Sequence, residues 1–267
     1  MPKTLNILSI DFDYFQNPTP ENLITDYPDG IDLPTELSKQ VWTTHYANPD
    51  CQKRLLQIQP WKKPIRTLAE HILKHTNRDT QSVICQSHVH AYEFVLQILS
   101  CYPDCTHVNL YNIDMHHDLF NSNTDVDCGN WLGYLHSELK YRENNPLKIK
   151  IHWICNPVSF QMYDIENLNI PNRITSDINK LPEKHWHGVF LCRSDQWVPP
   201  HLDQEFLWLA HTIKNRTTTI HIDPDVMESR YDDTFRTACD QMRQCLYNAR
   251  NCVYNSQKEN LEKQTKI

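Results

Sequence analysis

The sequence predicts an α/β protein, a three-layer α/β/α fold with a mainly parallel central sheet. Three observations predict it. Six short apolar runs rich in β-branched and aromatic residues recur along the 267-residue chain. Most are separated by stretches of helix length with apolar residues at helical spacing. The runs that carry acids and histidines carry them at their ends, where ligands gather in such folds. The length suits one large domain, 1–267, and nothing in it demands a second.

In chain order, strands are expected at 5–11, 82–87, 108–114, 149–155, 188–193 and 218–223. Between them, 64–76 carries Ile65, Leu68, Ile72 and Leu73 on one helical face, and 90–100 carries Tyr92, Val95, Leu96 and Leu99. Helices are expected again at 130–142, around Trp131, Leu135 and Leu139, and at 203–214, around Phe206, Leu207, Leu209 and Ala210. Residues 16–62, with Pro18, Pro20, Pro28 and Pro34 ahead of Trp42, Tyr46 and Trp61, read as an irregular insertion that walls or covers the site. A last helix is expected over 235–254, followed by a solvated tail at 255–267.

Composition excludes several classes. The net charge of −7 opposes nucleic-acid binding, whose affinity rests on neutralising phosphate. No apolar run reaches the length of a membrane span, and Met1-Pro2-Lys3-Thr4 leads straight into a strand without a secretion leader, so a cytoplasmic protein is expected. The ten cysteines are dispersed without a C-x-x-C pair and read as reduced, which argues against a cysteine zinc site. Only Gly30, Gly129, Gly133 and Gly188 occur, too few and too scattered for a dinucleotide turn or a P-loop.

What remains is metal chemistry. The run ending at Ile113 leads into Asp114-Met115-His116-His117-Asp118. In extended backbone Asp114, His116 and Asp118 share one face while Met115 and His117 turn away. The first strand ends in Asp11-Phe12-Asp13, two like charges that repel unless a cation sits between them. A third run leads to His88. Two carboxylates and an imidazole suit a hard or borderline divalent cation, and the six groups together suffice for two ions sharing carboxylates. A rival pair, Asp223-Pro224-Asp225, follows the last strand.

These motifs resemble the ureohydrolase superfamily of arginases, agmatinases and metal-dependent deacetylases. Asp114-Met115-His116-His117-Asp118 is similar to the D-A-H-x-D strand end of arginases, Ser9-Ile10-Asp11-Phe12-Asp13 to their S-F-D-x-D, and His88 to their earlier single histidine. Cys128-Gly129-Asn130-Trp131-Leu132-Gly133 is similar to their S-G-N-x-H-G substrate loop, with Leu132 where the loop carries a proton-shuttling histidine. The D-x-D strand precedes the other motifs here and follows them in arginases. This permuted order, with Arg193-Ser194-Asp195-Gln196-Trp197-Val198-Pro199-Pro200, resembles a bacterial branch that includes peptide arginases.

The resemblance implies an arginase-like domain holding two Mn2+ ions. Asp114 and Asp11 would bridge them, with His88 and Asp118 completing one site and His116 and Asp13 the other. It implies hydrolysis of an arginine guanidino group, in a ribosomally made precursor peptide, to ornithine and urea. A ureohydrolase acting on free arginine or agmatine and a metal-dependent deacetylase are the alternatives. Asp195 is the candidate clamp for the guanidinium, Asn121 and Asn130 for orienting substrate, and His90 and His117 for the proton work that Leu132 cannot do. The motif order of arginases favours Asp223 and Asp225 as the carboxylate pair, while the closer likeness of Ile10 to Phe15 favours Asp11 and Asp13. The partners implied are the peptide substrate alone, with no nucleic acid and no membrane, and the oligomeric state is left open.

Overall fold

A computed structural model describes residues 2–28, 30, 32–120, 125–141 and 147–264, with side chains described through residue 252. Seven strands form one wholly parallel sheet: β1 (Thr4–Asp11), β2 (Gln81–Cys85), β3 (His107–Asp114), β4 (Lys148–Cys155), β5 (Arg173–Thr175), β6 (Gly188–Cys192) and β7 (Thr218–Ile222), in the order β5-β4-β3-β1-β6-β2-β7. The helices are α1 (Pro20–Thr25), α2 (Thr35–Ala47), α3 (Pro49–Leu55), α4 (Lys62–His75), α5 (His90–Cys101), α6 (Trp131–Lys140), α7 (Ser159–Met162), α8 (Asp203–Arg216) and α9 (Asp233–Gln264). The three-layer α/β/α architecture read from the sequence is the one found.

Alternation along the strands builds two cores. Leu8 and Ile10 of β1 and Leu191 of β6 pack with Ile65 and Leu68 of α4 and Phe206 and Leu209 of α8. Leu5 and Ile7 of β1, with Phe190 and Cys192 of β6, face the other way onto Phe94 and Ile98 of α5 and Trp131 and Leu135 of α6. Strands covered on both faces read as continuous apolar runs, which is why they were legible. β1 lies between β3 and β6, so its carboxyl end opens at the middle of the sheet.

Several expectations need correction. Residues 16–62 are not irregular: they hold α1, α2 and α3. Pro20 and Pro49 stand in the first turns of their helices, where a missing N–H costs nothing, and the Thr19 hydroxyl accepts from Asn22 N at 3.1 Å as a cap. Of the prolines singled out in the sequence, Pro20 opens α1 and Pro34 stands at the N-cap of α2. Trp42 and Tyr46 of α2 are buried, and the Tyr46 ring meets Phe235 of α9 at 5.3 Å. The last helix runs through Gln264 rather than ending at 254, so most of the expected tail is helical and 265–267 lie outside the described residues. β5, three residues long, is too short to leave a periodic signal.

Gly188 opens β6 under α5, where an added Cβ would stand 2.9 Å from the Phe94 ring and 3.0 Å from Ile98. Replacing Gly188 by Ala is expected to destabilise the fold by roughly 1–3 kcal/mol through overpacking. A lowered urea midpoint at unchanged slope is the measurement that checks it.

Candidate metal centre

Six side chains converge where β1 and β3 end. Asp11 closes β1 and caps a 3-10 turn, Phe12–Phe15, its Oδ1 accepting from Asp13 N at 3.0 Å. Asp13 is therefore brought in by the turn and not by strand alternation. Asp114 closes β3, and Asp118 reaches the same place only after the chain bends into the left-handed region, with φ of 54° at Asp118 itself. His88 comes from the loop between β2 and α5, across β6 from β1.

The six separate into two groups that share one member. His88 Nδ1 lies 3.1 Å from Asp114 Oδ2 and 3.3 Å from both Asp11 Oδ2 and Asp118 Oδ2. His116 Nδ1 lies 2.8 Å from Asp13 Oδ2 and 3.7 Å from Asp114 Oδ1. Asp114 thus turns one oxygen to each histidine. The shared face that strand alternation predicts for Asp114, His116 and Asp118 is corrected here, since His116 pairs with Asp13 while Asp118 goes to His88.

Four buried carboxylates this close repel one another, and burial penalises their charge further. Burial, then Asp11 and Asp114, holds the Asp13 carboxyl well above its usual range, and burial, then Asp114, does the same at Asp118. Burial favours neutral imidazoles at His88 and His116, but the surrounding carboxylates overrule it and raise both. Asp13 Oδ2 and His88 Nδ1 are buried and make no hydrogen bond among the described residues, although donors or acceptors stand within 3.3 Å. Atoms that close without hydrogen-bond alignment aim at common points between them, and the groups Asp11, His88, Asp114 and Asp13, Asp114, His116 can each hold a metal ion.

Neighbours orient the ligands. Ser9 Oγ lies 2.8 Å from His88 Nε2, leaving Nδ1 to face the acids. Asn112 Nδ2 donates to Asp114 Oδ2 and to Asp118 Oδ2, both at 3.2 Å. Trp131 Nε1 donates to Asp118 Oδ2 at 2.7 Å, and Ser194 Oγ to Asp11 Oδ2 at 3.0 Å. Sequence reasoning passed over all four. A signal existed for two of them: Ser9 and Asn112 are buried polar residues two positions before a strand-end acid, on the same strand face, and paired in register.

The centre floors a cleft of about 920 Å³, walled by Leu23, Ile24 and Gly30 of the former insertion, Phe120, Cys128 and Gly129, and Met162, Tyr163 and Trp197. The Trp197 ring stands 4.8 Å from His116, and Gly30 is small because a Cβ there would sit 2.4 Å from that indole. Asp32, also lining the cleft, was not singled out by sequence. Burial raises its carboxyl, and its described hydrogen bond comes from Ser87 Oγ.

The other candidates lie elsewhere. Asp195 is no clamp: it is 1 % exposed, accepts from Arg193 Nη2 at 3.0 Å and Thr35 Oγ1 at 2.7 Å, and lies 3.6 Å from Arg230 Nη1. A carboxylate already occupied by two guanidinium groups cannot take a third. Asn130 accepts from Asp127 N at 2.8 Å and donates to Asp125 O at 3.2 Å, bracing the turn before α6. Asn121 lies outside the described residues. His117 is buried among Phe120, Tyr163 and Trp153, its Nδ1 accepting from Leu119 N at 3.0 Å, and burial lowers its pKa. His90 is exposed at the start of α5, near enough to Asp32 to lower that carboxyl's pKa. Leu132 points into the α5–α6 core. Asp223 and Asp225 follow the edge strand β7, where Asp223 accepts from Gln86 N at 2.9 Å and Asp225 is exposed, away from both groups.

All ten cysteines are free thiols, and no helix among the described residues is long and apolar enough to cross a membrane. Compared with protein-family models, with curated proteins and with solved structures, the chain matches none.

Titrating the ion-free protein with Mn2+ is expected to raise Tm by roughly 5–10 °C once the metal is about a hundredfold above its Kd. Binding should weaken as pH falls, because protons held by Asp13, Asp118, His88 and His116 compete with the ion. Asp114→Asn should lose both ions, whereas Asn112→Ala should keep both with about 10–100-fold weaker affinity, read by equilibrium dialysis and elemental analysis.

Proposed function

We propose that the protein is a ureohydrolase-type enzyme that hydrolyses the guanidino group of an arginine within a precursor peptide to ornithine and urea. The observation that carries the reading is the Asp114 carboxylate standing between two histidine-carboxylate groups, a donor set for a pair of ions at the bottom of an open cleft. Asp11, His88, Asp114 and Asp118 would hold one ion and Asp13, Asp114 and His116 the other; Asp11, expected to be shared, turns Oδ1 to Asp13 N and only Oδ2 to His88. The carboxylate-rich set suits Mn2+. Bound divalent cations supply a water acidified to near neutrality for attack on the guanidino carbon.

The chain's own residues position and recognise. Asp32 accepts N–H groups of the guanidinium from the cleft wall, taking the role first given to Asp195, and a cation there relieves the burial that raises its carboxyl. Trp197, packed against His116, and Tyr163 line the cleft and would shield the reacting carbon from bulk water. The departing side-chain nitrogen needs a proton, and of the expected proton carriers His90, outside the cleft lining but near enough to Asp32 to lower that carboxyl, is the one we assign to it.

Cleft size favours a peptide over free arginine. About 920 Å³ is near the upper end for small-molecule pockets, more than one amino acid fills. Its rim carries exposed apolar side chains from separate elements, Ile24, Phe120 and Met162, suited to residues flanking the arginine.

Incubating the Mn2+-loaded protein with arginine-containing precursor peptides should release urea and lower peptide mass by that of cyanamide, whereas free arginine reacts poorly. Urea from free arginine with none from any peptide would sink the peptide reading. Asp32→Asn should lower kcat/KM on the peptide by roughly ten- to hundredfold, mostly through KM, at unchanged metal content.

A further inference from the structure

A second cluster of ligating groups lies at the opposite end of the sheet. His71 and His75 stand four positions apart on α4, so their rings share one helix face, with centroids 4.5 Å apart and planes tilted by 40°. The Nε2 atoms of both are buried and make no hydrogen bond among the described residues. Buried polar atoms are ordinarily partnered, and two orphans side by side call for a common occupant.

Glu183, in the loop that leads to β6, supplies a third group. Its Oε2 lies 3.2 Å from His75 Nε2 off the line of a hydrogen bond, and one ligand atom from each of the three residues falls within 4.8 Å of the others. The two segments already touch, since Trp186 N donates to His75 O at 3.0 Å. Lys74 also reaches Glu183, but it is exposed and can turn into solvent.

We propose that His71, His75 and Glu183 form a separate site for a borderline divalent cation, Zn2+ in the first instance, that staples α4 to the loop before β6. Two imidazoles and one carboxylate favour zinc over manganese, unlike the carboxylate-rich cleft. Three protein ligands leave a fourth position for water. The site lies ahead of Gly188, where β6 begins, whereas the cleft lies beyond the strand's other end, so its role is mechanical.

Full-length protein in the Asp114→Asn background is dialysed against Zn2+ alone, and the bound metal and thermal midpoint are measured. One zinc per chain is expected, with a rise in midpoint. Adding His75→Ala, or separately the exposed Glu183→Gln, should weaken binding by at least about tenfold and remove most of that rise. Should Asp114→Asn fail to fold, the same two substitutions in the otherwise native chain should lower its zinc count by one. Zinc binding that is absent, or unchanged by both substitutions, overturns the proposal.

Discussion

Everything at the carboxyl end of the sheet answers to one constraint: four carboxylates and two imidazoles are packed at the floor of a cleft where water screens them little. Asp114 sits at its middle, with an oxygen toward each histidine and its backbone oxygen accepting from Trp153 Nε1 at 3.1 Å. Burial and the neighbouring acids raise the carboxyls of Asp13 and Asp118 well above their usual range. Asn112, Trp131 and Ser194 hold the acids in place against their own repulsion, and Ser9 holds the His88 ring. The apolar strands carry this polar centre because both of their faces are otherwise covered.

The sheet and the strand-end ligands were legible because a doubly covered strand tolerates few polar residues, so Asp11, Asp114 and their neighbours stand out in apolar runs. Their meeting was legible only in outline. Strand alternation brings in neither Asp13 nor Asp118, which depend on a 3-10 turn and a positive φ that an acid at those positions does not announce. Asp32 was hidden in a proline-rich stretch without periodicity. Asp195 misled because its occupant is local and distant at once: Arg193 two residues before it and Arg230 35 residues after it close a buried ion network with Asp203.

That network ties down the β6 exit. Arg230 donates to Asp203 Oδ1 at 2.7 Å and to the carbonyls of Asp195 and Val198 at 2.6 Å and 2.8 Å, so the loop from Ser194 to Val198 is tied to the start of α8. Trp197, carried on that loop, is thereby held against His116. Paired and hydrogen-bonded buried charges are tolerated where lone ones are not, and losing any one member would leave its partner stranded.

The central position of β1 has a consequence for how the protein is made. Contacts of β1 and the turn after it span 79 residues to His88, 102 to Met115 and 183 to Ser194. During synthesis the first pair of acids therefore leaves the ribosome well before the strands that will flank it. Until β3 and β6 dock, Asp11 and Asp13 end a sticky apolar strand with both edges open. Folding of this kind waits on distant pairings and is slow, so the nascent chain spends that interval depending on whatever keeps β1 from pairing with the wrong neighbour.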